Sequence, residues 1–99
     1  MTEPAFGELI HVPTRLRICA ALDPVVALEF SVLEEGLGIS TSLLSKQLRV
    51  LVDAGYAELE KRPQVVGRPR TWVALTPSGR RAFAGHVAAL RSMLGTPVD

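Results

Sequence analysis

The stretch Ile39-Ser40-Thr41-Ser42-Leu43-Leu44-Ser45-Lys46-Gln47-Leu48-Arg49-Val50-Leu51-Val52-Asp53-Ala54-Gly55-Tyr56 decides how the rest of this 99-residue chain is read. Leu44, Leu48 and Leu51 recur at i, i+4 and i+7, which is one apolar stripe of an α-helix. Ser40 stands where an N-cap oxygen is needed, and Gly55 where a left-handed residue closes a helix. The other face carries Thr41, Ser42, Ser45, Lys46 and Arg49. A helix that simply faces water tends to ladder Glu with Lys. Small hydroxyls and cations without acids make a face suited to an anion.

Downstream, Tyr56-Ala57-Glu58-Leu59-Glu60 alternates with period two and Thr71-Trp72-Val73-Ala74-Leu75 is a second β-rich run, predicting an antiparallel hairpin in which Trp72 packs. The connection from Lys61 to Arg70, with Pro63, Gly67 and Pro69, is too long for a tight turn and is expected to project. Thr76-Pro77 then restarts a helix, cap followed by proline. Phe83, Val87, Leu90 and Leu94 repeat at helical spacing, giving an amphipathic helix over about 77–94 that Ala82, Ala89 and Met93 broaden on its apolar side.

Upstream, Glu8 to Val12 reads as a short lead-in. Pro13 opens a helix through Leu22, with Leu16, Cys19, Ala20 and Leu22 on its apolar side, and Asp23-Pro24 ends it. Residues 27–30 can be extended. Ser31-Val32-Leu33-Glu34 has the spacing of a capping box, which predicts a second helix starting at Ser31 and kept short by Gly36 and Gly38.

Composition excludes several classes. A chain of this length forms one domain, expected to span 1–99, and 47% hydrophobic with 21% charged residues is a globular balance. No apolar run approaches the ~18 residues of a membrane span, and Met1-Thr2-Glu3-Pro4 has an acid where a signal peptide is basic, so a cytoplasmic, nucleoid-associated location is expected. Cys19 is the sole cysteine and is expected to be a small buried hydrophobe; with His11 and His86, read as ordinary polar residues, it makes no metal site. There is no nucleophile elbow, no phosphate-cradling glycine loop and no paired acid and base, so no enzyme and no cofactor are expected. The net charge of +1 hides an asymmetry: residues 1–45 set two arginines against six acids, whereas residues 46–81 set eight cations against three. Positive charge concentrated in one segment is the footprint of a nucleic-acid surface.

Helix, helix, turn, helix, basic hairpin, helix is the order of a winged helix-turn-helix, mainly α with a small β-hairpin wing. The run 39–56 resembles the recognition helix of the bacterial winged-helix repressors of the MarR and ArsR type. Gly67-Arg68-Pro69-Arg70-Thr71 followed by Leu75-Thr76-Pro77-Ser78-Gly79-Arg80 resembles their wing and closing helix. The similarity covers roughly residues 13–81 and is to the small single-domain regulators that lack an appended sensor. It implies a sequence-specific regulator, a repressor, reading double-stranded DNA as a homodimer. Helix 41–54 then occupies the major groove with Thr41, Ser42 and Ser45 toward the bases, Lys46 on phosphate, and Arg49 on phosphate or a guanine edge. The wing 61–70 lies at the flanking minor groove or phosphates. Val66-Gly67-Arg68-Pro69-Arg70 resembles the Gly-Arg-Pro core of minor-groove hooks, which places Arg68 in that groove, Arg70 on phosphate, and Lys61 and Arg62 as phosphate neighbours.

For assembly, Phe83, Val87, Leu90 and Leu94 are expected to join two copies, with the apolar lead-in at Phe6, Leu9 and Ile10 packing on the same row from either copy. Arg80 and Arg81 are expected near the DNA side. The family's metal sensors use paired cysteines, which this chain lacks; a repressor answering to a small-molecule effector is a variant of this reading, with no pattern that identifies the effector. A winged helix turned to protein binding is the alternative; it should have lost the basic wing and the cations of the third helix, and both are present.

Overall fold

The computed structural model describes residues 2–95. The elements run α1 (Glu8–His11), α2 (Pro13–Leu22), β1 (Leu28–Glu29), α3 (Phe30–Leu37), α4 (Thr41–Asp53), β2 (Ala57–Arg62), β3 (Arg70–Leu75) and α5 (Pro77–Met93). The winged helix-turn-helix is thus formed, with α4 as the expected third helix.

Both ends of α4 are closed by the residues that announced them. Ser40 Oγ accepts the Leu43 N–H at 3.1 Å. At the other end Gly55 takes φ +79, the Tyr56 N–H donates to the Leu51 carbonyl and the Gly55 N–H to that of Val52, the paired bonds of a Schellman turn. Between these caps Leu44, Leu48 and Leu51 are buried in one core with Ile10, Ile18, Cys19, Leu22, Leu33 and Val73. Each such leucine contributes about 1.5–3 kcal/mol by leaving water, which fixes the rotation of α4 and therefore which face it shows. On α2 the third core position is Ile18; Ala20, expected on the apolar side, is exposed.

The sheet has three strands in the order β1-β3-β2, all antiparallel. The extended piece expected at 27–30 is a true strand, Leu28 opposite Val73 and Glu29 opposite Trp72. That pairing removes the capping box. Chain held extended through Glu29 turns helical at Phe30, Glu29 is the N-cap without a side-chain bond, and Ser31 falls inside the first turn of α3. Glu34, freed from capping, accepts a hydrogen bond from Thr41 Oγ1 at 2.7 Å. Pairing of β2 with β3 continues to Arg62 opposite Arg70, so the wing loop is 63–69, and Lys61, Arg62 and Arg70 stand on strands.

The start of α5 is pressed onto the turn that ends α4. Thr76 Oγ1 caps α5 by accepting the Gly79 N–H at 2.9 Å and donates to the Gly55 carbonyl at 2.6 Å, while the Thr76 N–H donates to the Tyr56 carbonyl at 3.1 Å. Further along, α5 buries Gly85, His86, Ala88 and Ala89. Phe83 packs on the core, Val87 and Leu90 are half-buried, and Leu94 is 80% exposed. Among the described residues no helix is long and apolar enough to cross a membrane.

Candidate nucleic-acid interface

With its leucines anchored, α4 presents Thr41, Ser42, Ser45, Lys46 and Arg49 to solvent together, all of them exposed. Its positive end lies at Thr41 and Ser42, adding partial charge to that of Lys46 and Arg49. Thr41 differs from the other hydroxyls because its proton is engaged by Glu34. The arginines of α2 belong to the scaffold: Arg15 donates to the Leu9 carbonyl and to Gln47 Oε1 of α4, at 2.6 and 2.8 Å, and Arg17 to the Leu37 carbonyl at 2.9 Å. They brace the helix-turn-helix from behind. Arg80, expected near the DNA side, instead donates to the carbonyls of Asp23 and Val25 and locks the turn before β1; Arg81 is exposed.

The wing divides its cations between two faces. The register puts Leu59 and Lys61 on one face with Thr71 and Val73, and Arg62 and Arg70 on the other with Trp72 and Glu29. The first face closes against α4: Phe30, Ser45, Leu48, Arg49, Val52, Leu59 and Thr71 line an open groove of about 400 Å³ between that helix and the hairpin. On the second face Arg70 pairs with Glu29 at 2.6 Å, and Arg62 pairs with Glu60 and lies over the half-buried Trp72 ring, 4.6 Å from its centroid. Arg68 sits at the tip beside Gly67, whose φ of +93 turns the loop. Among the described residues, Lys46, Arg49, Lys61 and Arg68 pair with no carboxylate, whereas Arg62, Arg70 and Arg80 do. The nine expected contact residues therefore separate into six open ones, Ser42, Ser45, Lys46, Arg49, Lys61 and Arg68, and three already engaged, Thr41, Arg62 and Arg70.

Cys19 is buried, and burial, aided by the Asp23 carboxylate, pushes its thiol up to about 11, so little reactive thiolate forms. His11 and His86, read separately in the sequence, meet: Nδ1 of His11 is 3.3 Å from Nε2 of His86, which is completely buried. Seventy-five residues separate them, and no short spacing could have announced the contact. Phe6 lies against both rings, and Ile10 enters the core, so the lead-in packs on α5 of its own chain.

The sequence matches the winged helix DNA-binding domain family over residues 14–94. It is 32% identical over 80 residues to an uncharacterized protein of Methanocaldococcus jannaschii, covering 81% of this chain and 86% of that one. Its fold is similar to the transcriptional regulator homologue protein from Pyrococcus horikoshii OT3, with a TM-score of 0.82 and 26% identity over 90% of this chain and 87% of the other. A mutant MarR from E. coli, solved in complex with operator DNA, shares the fold at a TM-score of 0.64 and 17% identity, over 82% of this chain and 57% of its own. The capped α4, the three-stranded winged sheet and the match over 14–94 agree, and the chain belongs to the winged helix DNA-binding domain family, with the fold of the MarR-like transcriptional regulators.

Proposed function

We propose that this DNA-binding transcriptional regulator acts as a homodimeric repressor in the cytoplasm, on the nucleoid, with α4 in the major groove and the wing on the flanking backbone or minor groove. The observation that carries the reading is the open set of cations and hydroxyls, Ser42, Ser45, Lys46, Arg49, Lys61 and Arg68, on two elements that adjoin across one groove. A major groove ~12 Å wide admits one helix, whose first turns then approach base edges. Ser42 and Ser45 are suited to bases, and Lys46 to phosphate. Thr41 serves mainly to hold α4 to α3 through Glu34. Binding alone accounts for the activity, and no catalytic group is required.

The test is a mobility shift with the DNA upstream of the chain's own gene at two salt concentrations. Retarded complexes that weaken steeply with salt support the reading; no complex at the lower salt overturns it. The two wing arginines should behave differently. Arg68→Ala should weaken binding and flatten the log–log salt slope by about 0.9, one phosphate contact, while Arg70→Ala should change the slope little because its guanidinium is engaged by Glu29. Equal effects of the two would remove the distinction drawn from the register.

Two-fold dimers read half-sites about 34–36 Å apart, a spacing between the 24 Å width and the 50 Å length of the domain. The surface offered for joining them is the half-covered side of α5, Val87 and Leu90 with the exposed Met93 and Leu94. Leu90→Glu with Leu94→Glu should give a monomer of unchanged helicity that loses cooperative binding. Sedimentation of the unmutated chain as a monomer at tens of micromolar would exclude this interface.

A further inference from the structure

His86 is the one polar residue of the core among the described residues, and its surroundings fix where its proton sits. The Gly7 N–H lies 3.0 Å from Nδ1. A backbone amide can only donate, so Nδ1 must hold a lone pair and the ring proton must be on Nε2. From there it donates to Nδ1 of His11, 3.3 Å away, which leaves the His11 proton on its own Nε2. The chain of two bonds has no other satisfactory proton pattern. A proton added to His86 sets N–H against the Gly7 N–H; one added to His11 sets N–H against the His86 N–H. Both bonds hold only while both rings are neutral.

What these bonds fasten is the segment before α1. The Ala5 N–H donates to the Gly85 carbonyl at 2.9 Å, and Gly85 leaves so little space that an added Cβ would come within 3.2 Å of the Ala5 Cβ. Phe6 closes over the two imidazoles, with ring centroids 4.8 and 4.9 Å away. Farther back, Thr2 borders a hollow formed with Phe83, Ala84, Val87 and Arg91. Residues 2–7 thus form a strap lying along α5.

We propose that this strap is an acid-released latch: protonation of the His11–His86 pair breaks the bond to Gly7 or the bond between the rings, and residues 2–7 leave α5, uncovering the side that holds Phe83 and Val87. The latch is a property of the chain alone and rests on neither DNA binding nor dimerisation. Burial, and after it the neighbouring His11, lowers the His86 pKa below its ordinary 6.5. The unfastened chain therefore takes up the proton more readily than the closed one. The closed form is fully favoured above about pH 6.5 and loses ground as the pH falls below it, by about tenfold for each unit until the closed form also protonates. The other charges on the strap and the packed elements are engaged or exposed: Arg15 and Arg17 of α2 are engaged by carbonyls and Gln47, Arg80 of α5 by the Asp23 and Val25 carbonyls, the Cys19 thiol stays neutral, and Glu3, Glu8, Asp23, Arg81 and Arg91 are exposed, Arg91 beside Thr2 at the hollow. A metal ion on the same pair is disfavoured by the same proton count, since coordination through His86 Nε2 would move its proton to Nδ1, against Gly7.

Amide exchange followed by NMR at about pH 7.5 and about pH 5 tests this on the full chain, after correction for the intrinsic rate. The amides of Ala5 and Gly7 should lose at least about tenfold in protection on acidification while that of Leu48 in α4 keeps its own. His86→Asn offers an oxygen near the Nδ1 position that accepts from Gly7 without titrating, and should abolish the acid step. The nitrogen shifts of the unmutated His86 ring give a readout that needs no variant, and should show the lone pair on Nδ1 at the higher pH. A proton found on Nδ1 there, or protection of Ala5 and Gly7 that is unchanged on acidification, overturns the latch.

Discussion

Gly79→Ala should lower the melting temperature by roughly 12–24 °C. In the interior of an exposed helix the same exchange usually stabilises, by about 0.5–1 kcal/mol, because glycine loses more backbone freedom on folding. Here the sign reverses. A Cβ at this position would stand 2.0 Å from the Tyr56 carbonyl oxygen and 2.8 Å from its carbon, both backbone atoms that no rotamer change can move. The start of α5 would have to lift from the turn after α4, stretching the Thr76 bonds to Gly55 and Tyr56 together. About 3 kcal/mol, the upper end of overpacking costs, is the expected loss, and it is a large part of the stability of a domain this size. Thermal melting followed by circular dichroism reads it directly; a midpoint within about 2 °C of the unmutated chain would refute the close approach.

The second large effect concerns DNA. Replacing Lys46, Arg49 and Arg68 together by alanine should cost at least about 10²-fold in affinity, taking about 1 kcal/mol for each contact. With each cation counted as neutralising one phosphate, the salt slope falls by up to about 2.7, so the sensitivity between 50 and 200 mM salt should fall by up to about 40-fold. All three side chains are exposed and, among the described residues, pair with no carboxylate, and the core beneath α4 is leucine, so the melting temperature should hardly change. A triple variant that binds with the unmutated slope would show that these cations face solvent in the complex.

Much of this architecture was legible because it is locally encoded. Ser40, Gly55 and Thr76 each make a capping bond within three residues of themselves, and sequence spacing reports such bonds. What escaped depends on partners far along the chain. β1 exists through Val73 and Trp72, and by holding residues extended as far as Glu29 it overrode a capping box that was locally sound. Arg68 and Arg70 were both expected to meet DNA, and what sets Arg70 apart is Glu29, 41 residues away. The His11–His86 contact is of the same kind, two ordinary residues made unusual by packing. Composition shows that the positive charge gathers in residues 46–81, yet only the strand register tells which of its arginines are already occupied.

The position of β2 at the margin of the sheet has a consequence for solubility. With the order β1-β3-β2, one side of β2 meets β3 and the other presents unpaired amides and carbonyls along the strand, a template on which a second extended chain could crystallise into a continuous ribbon. Glu58, Glu60, Lys61 and Arg62 fill four of its six positions. In-register stacking of two such strands would set Glu58 and Glu60 each beside its own copy, and like charges directly opposite repel. Pro63 and Pro69, just beyond the pairing, supply no amide to extend it. The wing can thus stand bare-edged at the margin of the sheet without becoming the seed of a fibre.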